Sequence, residues 1–306
     1  MGKSFFSKSG LSLERLQTFL EIATYSGISS AAPSDTNRQS QYSRQLKELE
    51  EFFGAELVHR NKGMFELTAF GRDLFQIVQS NFTAMEDFAN RCAKENVNVT
   101  IGAGESILQS LILPYLGQFR AEKKGVTLVL QNLQTEEAIQ KLIDGRIDLG
   151  LVPEDRVHLP IKSTTIGLIE YQLIVPTEAK FPIRIKHFWE NLSKQPIALL
   201  SGSKVAKAFE IAAEENDVKL DVCFKASSYS QLLEAVAQIK CSALLPTYVS
   251  TANLDAVVEK VPIKSLHSFS RSLAIAWNPR FGVLRPAINS TVEFMVPFLQ
   301  SQLNQA

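Results

Sequence analysis

Cysteine and histidine are scarce in this sequence, and the few that occur are scattered. The 306 residues include three cysteines and four histidines, none at the spacing of a metal site. An odd number of separated cysteines suits the reducing cytosol, where thiols stay free or pack as small apolar side chains. The sequence therefore predicts no metal site and no cofactor. The cysteines are Cys92, Cys223 and Cys241.

Long apolar runs are also missing, both at the start of the chain and within it. Lys3 and Lys8 precede no sustained apolar segment, so no signal peptide is visible. No stretch is long enough to cross the hydrocarbon core of a bilayer. We therefore expect a cytoplasmic protein without a membrane partner.

An excess of charge of one sign is the third absence. The chain has 32 lysines and arginines against 32 aspartates and glutamates. No overall field then draws the molecule towards nucleic acid. Any affinity for DNA must come from the local placement of a few basic side chains.

Such a placement occurs in the stretch 29–68. Apolar residues at helical spacing predict a helix over 38–53, with Asn37 as its cap and Gly54 as the left-handed residue that closes it. One interpretation is an ordinary amphipathic helix with a solvated polar face. The other is a DNA-recognition helix, because its polar side chains have the length and chemistry to reach base edges and phosphates: Arg38, Gln39, Ser40, Gln41, Ser43, Arg44 and Lys47.

The residues on either side of this helix favour a winged helix-turn-helix. A first helix with one apolar face is predicted upstream, between Leu13 and Ala23. Downstream, residues 56–68 are predicted to form two short strands around an Asn61-Lys62-Gly63 turn. This hairpin would be the wing, with Arg60 and Lys62 placed against the phosphate backbone.

A long helix is predicted to follow, from Ala69 to about Lys94, with Thr68 as its cap. Its apolar residues alternate at spacings of four and three, the pattern of a coiled-coil seam. One interpretation is a helix that needs a partner, since the small domain beside it cannot cover it. The other is a helix packed on its own chain. The predicted seam consists of Leu74, Val78, Asn81, Met85, Phe88 and Cys92, widened by Phe70, Ile77 and Phe82.

The chain after residue 95 alternates between strands and helices. Three strands between Val97 and Val152 are separated by two helices, which is typical of a parallel sheet. More strands and helices follow to the end of the chain. Pro114 is expected to kink its helix and Pro297 to interrupt the last one.

The residues from Leu16 to Leu74 resemble the DNA-binding domain of LysR-type transcriptional regulators. Asp35, Asn37 and Ser40 depart from the family pattern, and Asp35 stands where the family usually has a core leucine. The matching residues are Leu16-x-x-Phe19, Ser26-Gly27-x-Ser29-x-Ala31-Ala32, Gln39-x-x-x-Ser43-Arg44-Gln45-Leu46-x-x-Leu49-Glu50, Phe53-Gly54, Leu57, Arg60, Leu67-Thr68 and Gly71.

The second half resembles the effector-binding domain of the same family, which is built like a type II periplasmic binding protein. Its matches are Leu113-Pro114, Phe119, Leu142 to Gly145, Asp148-Leu149 and Leu244-Leu245-Pro246. The resemblance implies an α/β protein in three parts. These are a winged helix-turn-helix (11–68), a linker helix (69–94) and an effector domain (95–306) that divides into subdomain I (about 95–162 and 266–306) and subdomain II (about 163–265).

The resemblance also implies a function. The linker helix of this family pairs with a second subunit, so that two recognition helices address the half-sites of an inverted-repeat operator in double-stranded DNA. We therefore expect a dimeric or tetrameric transcriptional regulator whose DNA binding responds to a small molecule held between the subdomains.

Candidate ligand contacts follow from the predicted sheets. Ligands of open α/β sheets bind at the carboxyl ends of strands, often against helix N-termini. Backbone N–H groups and hydroxyls at such corners favour a carboxylate or another anion. The alternative is that the serines there are only helix caps. The candidate residues are Glu105, Ser106, Pro153, Glu154, Gly202, Ser203, Ser228, Tyr229 and Pro246.

Two other classes of function stay open. A cytoplasmic small-molecule binding protein without operator-specific DNA binding would need only the second half of the chain. An enzyme is disfavoured, because no nucleophile–base pair, phosphate-binding loop or dinucleotide fingerprint is visible.

Overall fold

The computed structural model describes residues 10–61, 64–179, 188–262 and 270–305. A small helical unit with a hairpin comes first, then a long helix, then two five-stranded sheets with helices. Among the described residues, none of the helices is long and apolar enough to cross a bilayer. The first unit consists of α1 (Leu13–Thr24), α2 (Ile28–Ala31), α3 (Thr36–Phe53), β1 (Val58–Asn61) and β2 (Met64–Leu67).

The first unit has a core of its own. Phe19 and Ile22 of α1 and Leu49 of α3 are fully buried in it, together with Phe75 of the following helix. Leu13 is 65% exposed, so the apolar face of α1 begins further along the helix than the sequence predicted. The unit is small, and the long helix completes its core.

Helix α3 begins two residues earlier than predicted, and Asp35, not Asn37, is its cap. The Asp35 carboxylate accepts a hydrogen bond from the backbone N–H of Arg38 at 2.9 Å. Asn37 instead lies exposed in the first turn. The departure at Asp35 therefore has a local role, because a short carboxylate satisfies an N–H group that has no partner within the helix. Gly54 closes α3 at φ +68°, as predicted.

The long helix α4 (Ala69–Cys92) leads from the first unit to the second half of the chain. Its predicted cap is confirmed, since the Thr68 hydroxyl accepts from the N–H of Gly71 at 3.0 Å. Gly71 is required by packing, because a Cβ there would lie 2.0 Å from the carbonyl oxygen of Leu57. The start of α4 is thus held close to the base of the hairpin.

The second half contains two sheets. The first has the order β4-β3-β5-β12-β6, with β3, β4 and β5 parallel as predicted, and the second has the order β11-β7-β10-β8-β9. The strands are β3 (Val97–Ala103), β4 (Val126–Asn132), β5 (Leu149–Pro153), β6 (Lys162–Ile169), β7 (Tyr171–Pro176), β8 (Pro196–Leu200), β9 (Asp221–Ala226), β10 (Ser242–Pro246), β11 (Val258–Pro262) and β12 (Arg271–Trp277).

Helices cover these sheets. The α-helical segments are α5 (Glu105–Ile107), α6 (Leu116–Glu122), α7 (Thr135–Asp144), α8 (Phe188–Leu192), α9 (Lys204–Glu214), α10 (Tyr229–Ile239), α11 (Pro279–Leu284) and α12 (Pro286–Gln305). Between α5 and α6 the chain forms a π-helical turn and then a 3-10 turn that contains Pro114. Pro114 thus disturbs its helix as predicted.

Two predictions about the second half need correction. The boundary between subdomains does not fall at 162/163, because β6 pairs with β12 in the first sheet and buries Ile166 and Ile169 in its core. The chain crosses to the second sheet between β6 and β7, and the expected return near Pro262 to Ser268 falls mostly outside the described residues. Pro297 does not interrupt α12, which runs as one helix from Pro286 to Gln305. Met295 and Leu299, on either side of it, are buried in the same core.

A buried ion cluster joins α4 to the first sheet. The Arg285 guanidinium donates to Asp87 of α4 at 2.7 Å, to Asp148 just before β5 and to the carbonyl of Asn98 at 2.6 Å. All three charged side chains are buried. Burial raises the pKa of Asp148, while the charge of Arg285 lowers it. One guanidinium thus serves two carboxylates, and its loss would leave both buried without a counter-ion.

We expect Arg285→Met to lower the free energy of unfolding by about 3–5 kcal/mol, measured by urea denaturation at neutral pH. Lys194→Met, which removes a cation from an exposed pair with Glu190, should cost much less. The deficit of Arg285→Met should shrink as the pH falls. A buried carboxyl without a cation has a raised pKa, so the folded state takes up protons before the unfolded state does. Equal losses in the two variants would contradict a structural role for this cluster.

We expect Asp35→Ala to lower the free energy of unfolding by about 1 kcal/mol, because the first turn of α3 loses its cap. Asn37→Ala is the matched control and should leave stability nearly unchanged, since its side chain caps nothing. Thermal and urea denaturation of both variants would measure this. A larger loss for Asn37→Ala would restore the original prediction of the cap.

Candidate nucleic-acid interface and ligand cleft

One face of α3 is exposed along its length. Arg44 and Lys47 have side chains that are 73% and 67% exposed, and each meets a glutamate one turn later at 3.8 and 3.7 Å. Such exposed pairs contribute little to stability, so either cation can exchange its glutamate for a phosphate or a base. The predicted contact residues on this face are Ser40, Gln41, Ser43, Arg44 and Lys47.

Arg38 and Gln39 were predicted for the same face but bond within their own unit. The Arg38 guanidinium donates to the Tyr42 hydroxyl at 2.8 Å and lies over the Tyr42 ring. The Gln39 amide donates to the carbonyl of Ala32 at 2.8 Å. The bond of Gln39 therefore stabilises the turn between α2 and α3. The guanidinium of Arg38 is partly occupied by its contacts with Tyr42.

Sequence reasoning missed Asn37 as a member of the exposed face. Once Asp35 is the cap, Asn37 stands one helical turn before Ser40 and Gln41 and two before Arg44. Its amide carries both a donor and an acceptor, the combination that recognises adenine in a major groove. The spacing was available in the sequence but was obscured by the incorrect cap.

A buried polar layer holds α3 against α1. The Thr18 hydroxyl donates to the Gln45 amide oxygen at 2.6 Å, and the Gln45 amide nitrogen donates to Glu14 at 2.8 Å. At the far end of α3, Glu50 accepts from the backbone N–H of Leu57 at 2.9 Å. These directional bonds fix the rotation of α3 and the start of the hairpin, and so decide which side chains face outward.

The two strands of the predicted wing are confirmed. They pair antiparallel from Val58 with Leu67 to Asn61 with Met64. Arg60 lies in β1 opposite Phe65. Lys62, predicted for the tip, lies outside the described residues. The proximity of both basic residues to DNA stays a prediction.

The long helix α4 has one packed face and one open face. Val78 is buried, which corrects its assignment to the seam, and Leu74 packs against the first unit. Asn81 and Cys92 are exposed. The open face carries large apolar side chains, which are Phe70 (63% exposed), Ile77 (51%), Met85 (49%) and Phe88 (62%).

Two of the predicted ligand corners meet across the sheets. The Ser106 hydroxyl, at the carboxyl end of β3, lies 3.0 Å from the Tyr248 hydroxyl, which follows β10. The Ser230 hydroxyl of α10 donates to Gln109 at 2.9 Å. Tyr229 and Tyr171 lie near the crossing between the sheets, and burial is the main cause that raises the pKa of Tyr229, followed by the nearby Tyr171. Polar side chains of both sheets thus meet at this edge, where they bond to each other.

At the other predicted corners, most of the polar side chains bond within the protein. Ser203 and Ser228 accept from backbone N–H groups of their own helices at 3.2 and 3.3 Å, as the cap interpretation requires. Glu154 accepts from Thr165 of β6 at 2.6 Å, and Glu105 accepts from Gln109 at 3.1 Å. Gly202, at φ +71°, precedes Ser203, while Pro153 and Pro246 end β5 and β10.

Tyr248, Tyr171 and Gln109 were not among the predicted ligand residues. Tyr248 lies two residues beyond the end of β10, so the rule that ligands bind at the carboxyl ends of strands could have found it. Tyr171 could not be found, because its place at the crossing depends on which sheet contains β6.

Family models match two parts of the chain. Residues 13–72 match the model of the bacterial regulatory helix-turn-helix protein, lysR family. Residues 95–299, more than half of the chain, match the LysR substrate binding domain. The two matched segments correspond to the winged unit with the start of α4 and to the second half that contains the two sheets.

Individual relatives agree with these matches. A probable nitrogen assimilation transcriptional activator of Synechococcus elongatus is 27% identical over 247 residues, covering 76% of this chain and 78% of the relative. A cysteine-to-aspartate variant of full-length OxyR from Pseudomonas aeruginosa superposes with a TM-score of 0.61 at 19% identity, covering 95% of each chain. Full-length CbnR, solved in complex with its target DNA, gives 0.56 at 17% identity, covering 94% of this chain and 100% of that one. The two structures establish the likeness of fold.

Proposed function

The chain belongs to the LysR family of bacterial transcriptional regulators, and on that premise we propose how it works. It binds an inverted-repeat operator in the cytoplasm as a dimer or tetramer, and a small molecule between the subdomains changes that binding. The observation that carries this function is the exposed polar face of α3 on a firmly anchored winged unit. Membership of a family of transcriptional regulators supports a role in DNA binding better than it supports an enzymatic one.

Recognition would rest on exposed side chains whose bonds within the protein are long, 3.4 Å from Gln41 to Glu14 and 3.8 Å from Arg44 to Glu48. Arg44 has the donors to pair with guanine, and Gln41 and Asn37 have the amides to pair with adenine. Lys47, Arg60 and Lys62 would neutralise phosphates, which adds affinity without sequence information. Because the whole chain has no net charge, these local cations would supply the electrostatic attraction.

The open face of α4 supports self-association. Four large apolar side chains exposed along one helix form a surface that single soluble chains seldom leave uncovered. A second copy would place an identical α4 against it, with two recognition helices related by two-fold symmetry. Asn81, exposed among these residues, would fix the register of the pair.

The cleft supports a ligand that accepts hydrogen bonds. The Ser106 and Tyr248 hydroxyls lie 3.0 Å apart, and the Ser230 hydroxyl donates to Gln109; a ligand with acceptor oxygens could take the place of either bond. An anion such as a carboxylate would suit them, although Glu105 stands at the same corner. Ligand binding would replace direct bonds between the sheets and favour one arrangement of the subdomains, which would change the spacing of the recognition helices.

Fluorescence anisotropy with DNA fragments from beside the protein's own gene tests the function. We expect tight, sequence-selective binding that weakens steeply as salt rises, because each neutralised phosphate releases counter-ions. Weak binding that is equal on all fragments would contradict the role as a regulator and favour a small-molecule binding protein.

We expect Arg44→Ala to weaken binding to the preferred operator by about 1–3 kcal/mol and to reduce discrimination at one base position. Lys219→Ala, which removes an exposed cation of the second half, is the control and should change neither quantity. Competition anisotropy with single-base operator variants measures both. An equal loss on every sequence would make Arg44 a phosphate contact.

We expect the double variant Ile77→Asp/Phe88→Asp to shift the protein to monomers, because carboxylates would be buried without partners where two α4 helices meet. Val257→Asp is the matched control, since Val257 is 52% exposed and Ile77 is 51% exposed, but Val257 lies far along the chain from α4. Analytical ultracentrifugation measures the change. An unchanged oligomer in the double variant would exclude the open face of α4 as the interface.

A further inference from the structure

A crevice separates the first unit from the second half of the chain. It has a volume of about 260 Å³. The hairpin contributes Phe65 and Glu66, α4 contributes Arg72 and Phe75, and α7 with the turn after it contributes Asp144 and Arg146. The crevice is thus lined by the DNA-binding unit, the linker helix and the effector half together, and it is separate from the cleft between the two sheets.

Charges of both signs surround this crevice without pairing to each other. Arg72, Arg146, Asp144 and Glu66 are all within the described residues, and none of them has an ion-pair partner within 4.0 Å there. The Arg72 guanidinium donates to the carbonyl of Leu67 at 2.7 Å, which leaves other N–H donors for a ligand. Arg146 lies 5.1 Å from the Phe75 ring centroid. Two cations are therefore held in place beside the opening.

Asp144 also lines the crevice. It is half-buried and accepts from the Gln140 amide at 3.0 Å through one oxygen. Burial raises the pKa of Asp144, and the Gln140 bond and the charges of Arg146 and Arg72 lower it. A half-buried carboxylate that has cations nearby but none within ion-pair distance would gain from a cationic group of a ligand.

We infer that this crevice binds a small zwitterion of the α-amino acid class. The ligand's carboxylate would face Arg72 and Arg146, and its ammonium group would face Asp144 and Glu66. Phe65 and Leu67, which also line the crevice, would accommodate a neutral or apolar side chain. The volume is below the ~300–1,000 Å³ range of drug-sized ligands, which suits a molecule of this size.

Such a ligand would act on the position of the DNA-binding unit. Its carboxylate and ammonium would contact groups on α4, the hairpin and α7, so it would stabilise the arrangement in which these three elements meet. This second site would regulate the protein independently of the cleft. It extends the proposed function and can fail while operator binding stands.

Isothermal titration calorimetry with the full chain tests the inference. The probes are glycine, L-alanine, L-valine and L-glutamine, with propionate and n-propylamine as compounds that carry only one of the two charges. We expect at least one amino acid to bind and both single-charge compounds to bind at least tenfold more weakly. Absence of binding by all four amino acids would overturn the inference, and so would equal binding of propionate.

Variants locate the binding. Asp144→Asn removes one charge with little change of shape, and Arg146→Gln replaces the guanidinium by a shorter, uncharged amide. Each should weaken binding of the amino acid at least tenfold. Asp155→Asn and Arg120→Gln are exposed controls and should have no effect, and thermal melting would verify that all four fold. Tyr248→Phe should also leave binding intact. Loss of binding in Tyr248→Phe, with Asp144→Asn unaffected, would place the amino acid in the cleft and refute the crevice site.

Discussion

The buried contact of Arg285 with Asp87 and Asp148 is the interaction on which the arrangement of the two halves depends. Asp87 belongs to the linker helix, Asp148 to the entry of a central strand, and Arg285 to the segment before the last helix. A buried guanidinium has five donors in a fixed plane, so it tolerates few relative positions of its partners. The linker helix therefore cannot rotate on the first sheet without breaking charge-assisted bonds in a place without water.

This constraint would couple movements at the cleft to the position of the DNA-binding unit. The first sheet carries Ser106 at one end of β3, and Asn98, near the other end of the same strand, accepts from Arg285. A movement of the second sheet against Ser106 and Gln109 would thus act on a strand that is bonded to the linker cluster. Because Arg285 bonds both to this strand and to Asp87 of the linker helix, such a displacement would act on the linker helix as well.

Much of this organisation could be predicted from the sequence, because the spacing of apolar residues and the residues that begin or end helices determine each element locally. The helical spacing before Gly54, the Thr68 cap and the alternation of strands from Val97 onward are properties of short segments. The errors arose where two local interpretations compete. Asp35 and Asn37 are both good caps, and only the start of α3 decides between them. The strand β6 looks extended in either sheet, and its partner β12 lies a hundred residues away in sequence.

The candidate sites differ in the same way. The exposed face of α3 follows from helical geometry once its cap is known, so most of its residues were within reach of the sequence. The charges around the interdomain crevice were not, because Arg72 and Asp144 belong to separate helices that meet only through tertiary packing. Arg146 directly follows Gly145, whose left-handed conformation closes α7. That turn brings the Arg146 guanidinium over Phe75 of the linker helix. The turn at Gly145, from which the sequence predicts only the end of a helix, thus positions one wall of the proposed crevice site.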